Sequence, residues 1–267
     1  MSPFDYIELC GQAADAAIYS IKDLIGTDEA FRIVYTGADG TPTRLIDDIS
    51  EKAILDILKG DGRSMRILSE ECGEILLGDS PEFAIILDPL DGTYNAAHDI
   101  PFYSISIAIG SPDLSEIWFG YVRNLANGDT YHAELGKGAY LNGKTIGPSA
   151  NSTLKDFCIS IYGYRRHVER TIKLSKSIRR IRILGSVALE LCYVASGKLD
   201  AFVDIRRSLR LVDVAAGKLI LEEAGGIVTD GDGRPLELDD SVINRLSMIA
   251  SNEQGHPDIL YLTKRCT

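Results

Sequence analysis

The sequence predicts an α+β fold: an antiparallel sheet in the N-terminal half, followed by an α/β C-terminal half. Three observations carry this. The segments "FYSISIAIG", "EIWFGYVRN" and "DTYHAELGKGAYLNGKTI" are strand-like and separated by turn residues, as in an antiparallel sheet. From about residue 150, strand-like and helix-like stretches alternate. Two helical stretches precede the first of the strands.

Taken in order, "FDYIELCGQAADAAIYSIKDLI" has apolar residues at helical spacing and no proline after position 3, and reads as a long first helix. The Gly/Asp/Thr/Pro cluster in "RIVYTGADGTPTRLID" predicts an exposed, mobile loop over 36–43. "DDISEKAILDILKG" is a second helix closed by Gly60. "MRILSEE" is a short strand ending in acids. In "FAIILDPLDGT" the apolar run Ala84 to Leu87 reads as a buried strand, and Pro89 and Gly92 then punctuate a turn. The C-terminal half reads as strand "DFCISIYGY", a helix near 167–177, strand "RRIRIL", helix "SVALELCYVASG", strand "DAFVDI", helix "VDVAAGKLILEEAG" and strand "GIVTD". The change of texture near 145–155 predicts two domains, 1–148 and 149–267.

A chain of 267 residues with 45% hydrophobic content can bury a sizeable core in one or two domains. Asp5, Glu8, Asp15, Lys22 and Asp23 exclude a signal peptide at the start. No uncharged apolar stretch approaches the ~20 residues of a membrane span, so a soluble, cytoplasmic protein without a membrane partner is expected. The five cysteines are scattered and unpaired in spacing, which argues against a disulfide framework or a zinc knuckle. The net charge of −11 disfavours nucleic acid as a partner. It leaves room for an anionic substrate, because bound cations invert the local field.

Acids fall at strand and helix ends: Asp47, Glu70, Asp88, Asp91 and Asp213. Two of them share the turn after the buried strand, where unpaired carboxylates repel and are poorly solvated. Something positive belongs between them. Carboxylate-only sites suit hard ions such as Mg²⁺, and none of the four histidines has ligand spacing to another, against zinc. The Leu90 carbonyl is a further oxygen donor between the pair. Plainer readings stand beside this one. Glu70-Glu71 suits a solvated strand end, Asp47 or Asp48 a helix N-cap, and Asp213 another N-cap. Asp88 and Asp91, anchored by a buried strand, are the hardest to explain that way.

Asp88-Pro89-Leu90-Asp91-Gly92-Thr93 resembles the D-P-[ILV]-D-G-T motif of the inositol monophosphatase superfamily. Val212-Asp213-Val214-Ala215-Ala216-Gly217 resembles its second motif, W-D-x-A-A/G-G, with Val in place of Trp. Ser69-Glu70-Glu71, the hairpin Gly138 to Gly143 and "LGSVALELCYVASGKLDAF" resemble further elements, so the resemblance covers roughly residues 5 to 252. Val187 stands where many members have Ala. The segment "VDIRRSLRLVD" is more basic than in the animal enzymes, and the chain is similar to archaeal-type members that act on inositol monophosphates and fructose 1,6-bisphosphate.

The resemblance implies a layered α-β-α-β-α sandwich of the sugar-phosphatase type. It implies Mg²⁺, two or three ions, with Asp88 bridging two of them, Glu70 and the Leu90 carbonyl completing one, and Asp91 and Asp213 completing the other. A third ion near Glu70, recruited with Asp39, is a further expectation. Thr93 and Asp47 are expected to orient the attacking water, with Glu70 also in the catalytic set. The N–H groups of Gly92 and Thr93 are expected to hold phosphate, and Asp204, Gly185 and Ser186 the polyol. Arg165 and Arg207, in a basic set with Arg166, Arg206 and Arg210, are expected at a second phosphate. The substrate is then a phosphorylated sugar or polyol, and the assembly a homodimer. Two alternatives remain: a nucleotide 3′-phosphatase acting on adenosine 3′,5′-bisphosphate, and a non-catalytic metal- or phosphosugar-binding module.

Overall fold

The computed structural model describes residues 3–38, 40–164, 167–238 and 244–264. The first helix, α1 (Pro3–Ile21), buries Leu9, Cys10, Ala13, Ala14, Ala17 and Ile21, a stripe at three- and four-residue spacing. A short hairpin, β1 (Ile33–Thr36) and β2 (Pro42–Arg44), leads into α2 (Leu45–Gly60). The loop expected over 36–43 is therefore shorter. Thr36 pairs with Pro42 and the Gly37 N–H donates to the Thr41 carbonyl, so the cluster of turn residues makes a tight hairpin. Asp39 lies outside the described residues.

Eight strands follow: β3 (Met65–Ser69), β4 (Gly73–Leu77), β5 (Phe83–Asp91), β6 (Ser104–Gly110), β7 (Ile117–Asn124), β8 (Thr130–Glu134), β9 (Gly138–Leu141) and β10 (Lys144–Thr145). They form one sheet in the order β10-β9-β8-β7-β6-β5-β3-β4, antiparallel except where β3 and β5 run parallel. The five-residue helix α3 (Thr93–Ala97) interrupts the run between β5 and β6. Strand β4 was not anticipated from "GEILL", whose glycine and glutamate break the apolar alternation.

The C-terminal half holds β11 (Cys158–Tyr162), α4 (Val168–Ser177), β12 (Arg180–Arg182), α5 (Val187–Ala195), β13 (Ala201–Leu209), α6 (Leu211–Glu223), β14 (Ile227–Thr229), β15 (Leu246–Ser251) and α7 (His256–Thr263). Its sheet runs β12-β11-β13-β15-β14; β12, β11 and β13 are parallel and the rest antiparallel. The eight-stranded sheet ends at Thr145 and this one begins at Cys158.

The elements stack in the expected order of α-β-α-β-α layers. Helices α1 and α2 cover one face of the large sheet through Ala14, Ile54, Ile85 and Ile107. On its other face lie α5 and α6, which also meet the small sheet, so Ile86, Val122, Leu191, Ala216 and Phe202 share one core. Leu174 of α4 and Ile259 of α7 close the far side against Ile159 and Val203. The central helices explain why "SVALELCYVASG" and "VDVAAGKLILEEAG" are apolar nearly all round: each is covered on two faces. Close packing here requires Gly217, where a Cβ would stand 2.8 Å from a Leu191 methyl. No described helix is long and apolar enough to cross a membrane.

Candidate active site

Strand β5 is buried along all nine residues. Residues three apart on a regular strand face opposite ways, yet Asp88 pairs with Ser106 and Asp91 with Ser104, two positions that share a face. The ladder therefore carries one extra residue between the acids. Pro89, which has no N–H to offer a neighbour, lies within that irregularity, and Ser50 Oγ donates to its carbonyl at 2.8 Å. The bulge turns both carboxylates to one side.

Three other elements bring acids to the same place. Asp47 lies in the first turn of α2, Glu70 just past the end of β3, and Asp213 in the first turn of α6. The N-cap reading of Asp47 and Asp213 is met in modified form. Each sits three residues past the cap and accepts the cap residue's N–H, from Arg44 at 3.3 Å and Arg210 at 2.7 Å. Asp47 keeps its other oxygen for Thr93, whose hydroxyl donates to it at 2.7 Å. Thr93 Oγ1 also lies 3.2 Å from the Leu90 carbonyl.

The field is strongly negative. Burial pushes Asp47 well above the usual carboxylate range against the Thr93 hydrogen bond, and Glu70 and Glu71 push it further. Burial likewise raises Asp88, reinforced by Glu70 and Asp91. Asp91 is raised to about 7 by burial and then by Asp213, although Ser186 Oγ and the Ala188 N–H both donate to its Oδ2 at 2.7 Å. Among the described residues, the cation hydrogen-bonded to these acids is Arg210. Arg210 donates through Nη2 to Asp213 Oδ1 at 2.7 Å and through Nε to both Asp213 oxygens, and its Nη1 reaches Glu70.

The donors fit a hard metal ion. Asp88 is fully enclosed, Leu90 N–H donates to its Oδ1 at 3.0 Å, and its Oδ2 has no hydrogen-bond partner among the described residues. A buried, unpartnered carboxylate oxygen amid other acids calls for a cation, and an all-oxygen set suits Mg²⁺. As the side chains stand, no group of three His, Cys, Asp or Glu among the described residues is arranged to hold an ion. Arg210 lies between Glu70 and Asp213, and ion binding requires these side chains to readjust.

Gly92 caps α3 with φ +96°, and a Cβ there would stand 3.1 Å from the Phe102 carbonyl and 3.3 Å from that of Gly185. Gly185, itself at φ +93°, thus comes from the C-terminal half to the start of α3. Asn95 holds the two halves there, donating at 2.7 Å to the carbonyls of both Phe102 and Leu184. Ser186 is brought to the site behind Asp91: it is fully buried, and its hydroxyl binds Asp91 and lies 3.0 Å from Ser104 Oγ. Asp204 is also fully buried, with Arg206 on both of its oxygens at 2.6–3.2 Å and Arg206 between the Tyr162 and Tyr164 rings, 4.7 Å from each centroid. Arg207 is exposed at φ +58°, where β13 slips register against β15. Arg165 and Arg166 lie outside the described residues.

Two participants were missed in the sequence. Asn95 gives no local signal, because its partners are a loop carbonyl and one 89 residues away. Arg210 was grouped with the phosphate-binding arginines; its position three before Asp213 in a helix start was the available clue.

The model of the inositol monophosphatase family matches residues 6–266. A fructose-1,6-bisphosphatase/inositol-1-monophosphatase of Methanothermobacter thermautotrophicus is 44% identical over 252 residues, covering 90% of each chain. A bifunctional NADP phosphatase/NAD kinase of Methanococcus maripaludis is 42% identical over 96% of this chain, which spans 49% of that longer protein. A solved inositol monophosphatase–fructose 1,6-bisphosphatase superposes with TM-score 0.86 at 33% identity, over 96% of this chain and 99% of that one.

Proposed function

The chain belongs to the inositol monophosphatase family, whose members are metal-dependent phosphatases, and from that premise we propose that it hydrolyses fructose 1,6-bisphosphate and inositol 1-phosphate. The observation that carries the reading is the enclosed Asp88 Oδ2, without a hydrogen-bond partner among the described residues and repelled by Asp91 on its own strand and by Glu70 and Asp213 from two other elements, beside a hydrogen-bonded Thr93–Asp47 pair. Two relatives named for both activities, at 44% and 42% identity, support it.

Glu70, Asp88 and the Leu90 carbonyl would hold one Mg²⁺, and Asp88, Asp91 and Asp213 a second; a third would sit near Glu70. When bound, the ions lower the pKa of the attacking water and neutralise charge on the phosphate and leaving alkoxide. The protein's own groups do the positioning on which phosphoryl transfer depends. Thr93 Oγ1 donates its hydrogen bond to Asp47 Oδ1 and so presents a lone pair that would accept a hydrogen bond from the water; as the water's proton passes to Thr93 Oγ1, the Thr93 proton passes to Asp47. The first N–H groups of α3 have no helical acceptor, and those of Gly92 and Thr93 would donate to phosphate oxygens. Gly92 lets the ester lie close to the chain.

On the substrate side, Gly185 lines the polyol through its backbone. A hydroxyl-accepting role for Asp204 requires Arg206 to release one of its oxygens. Arg206 is held by Asp204 and two tyrosines, and Arg210 by Glu70 and Asp213. That leaves Arg207, exposed, with Arg165 and Arg166, as the candidates for a second phosphate, and of these Arg165 and Arg207 are the pair proposed here. Replacing Arg165 and Arg207 by Ala should weaken fructose 1,6-bisphosphate hydrolysis by about one to two powers of ten, the loss of one charge-assisted bond of ~1.5–3 kcal/mol. Inositol 1-phosphate, with no second phosphate, should be nearly unaffected. Equal losses on both substrates in a folded double variant would remove these arginines from the second site.

The two relatives named NADP phosphatase/NAD kinase, 42% and 36% identical, favour a second reading in which NADP is dephosphorylated. Phosphate release from fructose 1,6-bisphosphate, inositol 1-phosphate, NADP and adenosine 3′,5′-bisphosphate with Mg²⁺ separates the readings. Release from NADP alone moves the assignment to the second, from the adenosine compound alone to a nucleotide phosphatase. No release from any leaves a non-catalytic binding module.

The ion should also stabilise the fold, because a ligand held only by the native state contributes RT ln(1 + [L]/Kd). Melting temperature should be higher in millimolar Mg²⁺ than in chelator, and equal values would count against an ion-binding acid group. We also take residues 1–148 and 149–267 to be two domains and the active species to be a homodimer. A monomeric mass by light scattering would end the latter.

A further inference from the structure

Arg210 stands where the acids most need a cation. Its N–H is fixed to Asp213 Oδ2 at 2.7 Å, so its backbone is anchored at the start of α6. Its guanidinium nevertheless spans two elements: Nε and Nη2 engage Asp213, and Nη1 engages Glu70, 140 residues away in the chain at the end of β3. These two acids belong to different ion positions in the reading above. The planar fork of arginine suits such bridging, where a lysine would act as a single point charge.

We propose that Arg210 is the site's own counter-cation: it holds Glu70 and Asp213 together while the acids carry no ion, and gives them up as ions bind, so that it sets the protein's affinity for metal. The inference rests on the metal reading given above. The ion and the guanidinium compete for the same carboxylate oxygens. The Asp213 oxygens face the guanidinium, and a hard ion bound to them replaces those hydrogen bonds and repels the positive fork at short range. Movement of the side chain alone is sufficient, and with 19% of it exposed it has a way out toward solvent. By linkage, whatever affinity the ion loses by displacing Arg210 is regained when Arg210 is removed.

The test uses metal-free protein and Mn²⁺ as the probe, titrated calorimetrically without substrate, together with thermal unfolding in chelator. Arg210→Met should bind Mn²⁺ about tenfold more tightly than the parent, a coupling of ~1.4 kcal/mol, and melt at a lower temperature in chelator, with most of that loss restored by the ion. Arg210→Lys, which keeps a charge but not the fork, should fall between and serves if the methionine variant does not fold. Unchanged or weaker Mn²⁺ binding in the folded variant overturns the proposal, as does a melting temperature lowered equally with and without the ion. A parent that binds no Mn²⁺ overturns the metal reading itself and this inference with it. Binding by the parent without tightening in the variants overturns the role of Arg210 alone.

Discussion

A folded Asp88→Asn protein should release phosphate at below about a thousandth of the parent rate. Metal charge at a phosphoryl centre supplies several kcal/mol of transition-state stabilisation, and each ~1.36 kcal/mol is tenfold in rate. Asp88 is the acid that would serve both ions, and the amide removes its charge at nearly constant shape. The consequence for stability runs the other way. Asp88 is fully enclosed, its charge is opposed by Glu70 and Asp91, and its Oδ2 has no hydrogen-bond partner among the described residues. Neutralising it removes repulsion, while the retained Oδ1 can still accept the Leu90 N–H. In chelator the variant should melt no lower than the parent, and the rise in melting temperature caused by Mg²⁺ should shrink or vanish. A variant with near-parent turnover, or one that responds to Mg²⁺ as the parent does, would remove Asp88 from the metal centre.

Much of this site was legible because it is built from local signals. A run of apolar residues that ends in Asp88-Pro89-Leu90-Asp91-Gly92-Thr93 announces a buried strand, a break in pairing and a backbone position that accepts positive φ, and the structure has all three. The layered fold was legible for a similar reason: helices apolar all round must be covered on both sides, and α5 and α6 are. What was not legible depends on partners distant in sequence. Nothing near Asp204 says that Arg206 will fold back onto it between two tyrosines, one of them on β11. Ser186 reads equally as a helix cap, a sugar contact or a support for a carboxylate. Only the approach of α5 to the end of β5 makes it a donor to Asp91, although it also caps α5. Residues 36–43 were read as loop, although they hold the end of β1 and most of β2, because these strands are only four and three residues long, too short for alternation to register.

Thr93→Val should lower kcat by roughly 10²- to 10³-fold, within the range for loss of a positioned proton-transfer group, and leave KM for the substrate nearly unchanged. Valine keeps the shape of threonine and removes one atom's chemistry. Thr93 Oγ1 is the link between Asp47 and whatever stands at the start of α3: it donates to Asp47 Oδ1 at 2.7 Å and lies 3.2 Å from the Leu90 carbonyl. Without it, among the described residues, Asp47 keeps the Arg44 N–H at 3.3 Å, and burial with the nearby Glu70 and Glu71 then favours its neutral form more strongly. A neutral Asp47 without a hydroxyl to pass the proton through cannot assist the water. Thr93 is not among the carboxylates assigned to the ions, so the Mg²⁺-induced rise in melting temperature should persist in this variant, in contrast to Asp88→Asn. Thr93→Ser restores the hydroxyl at the cost of a methyl group and should recover most of the rate. Turnover of Thr93→Val within about threefold of the parent would show that the water is positioned without this hydroxyl. Loss of the Mg²⁺ response together with activity would instead make Thr93 a support for the ions.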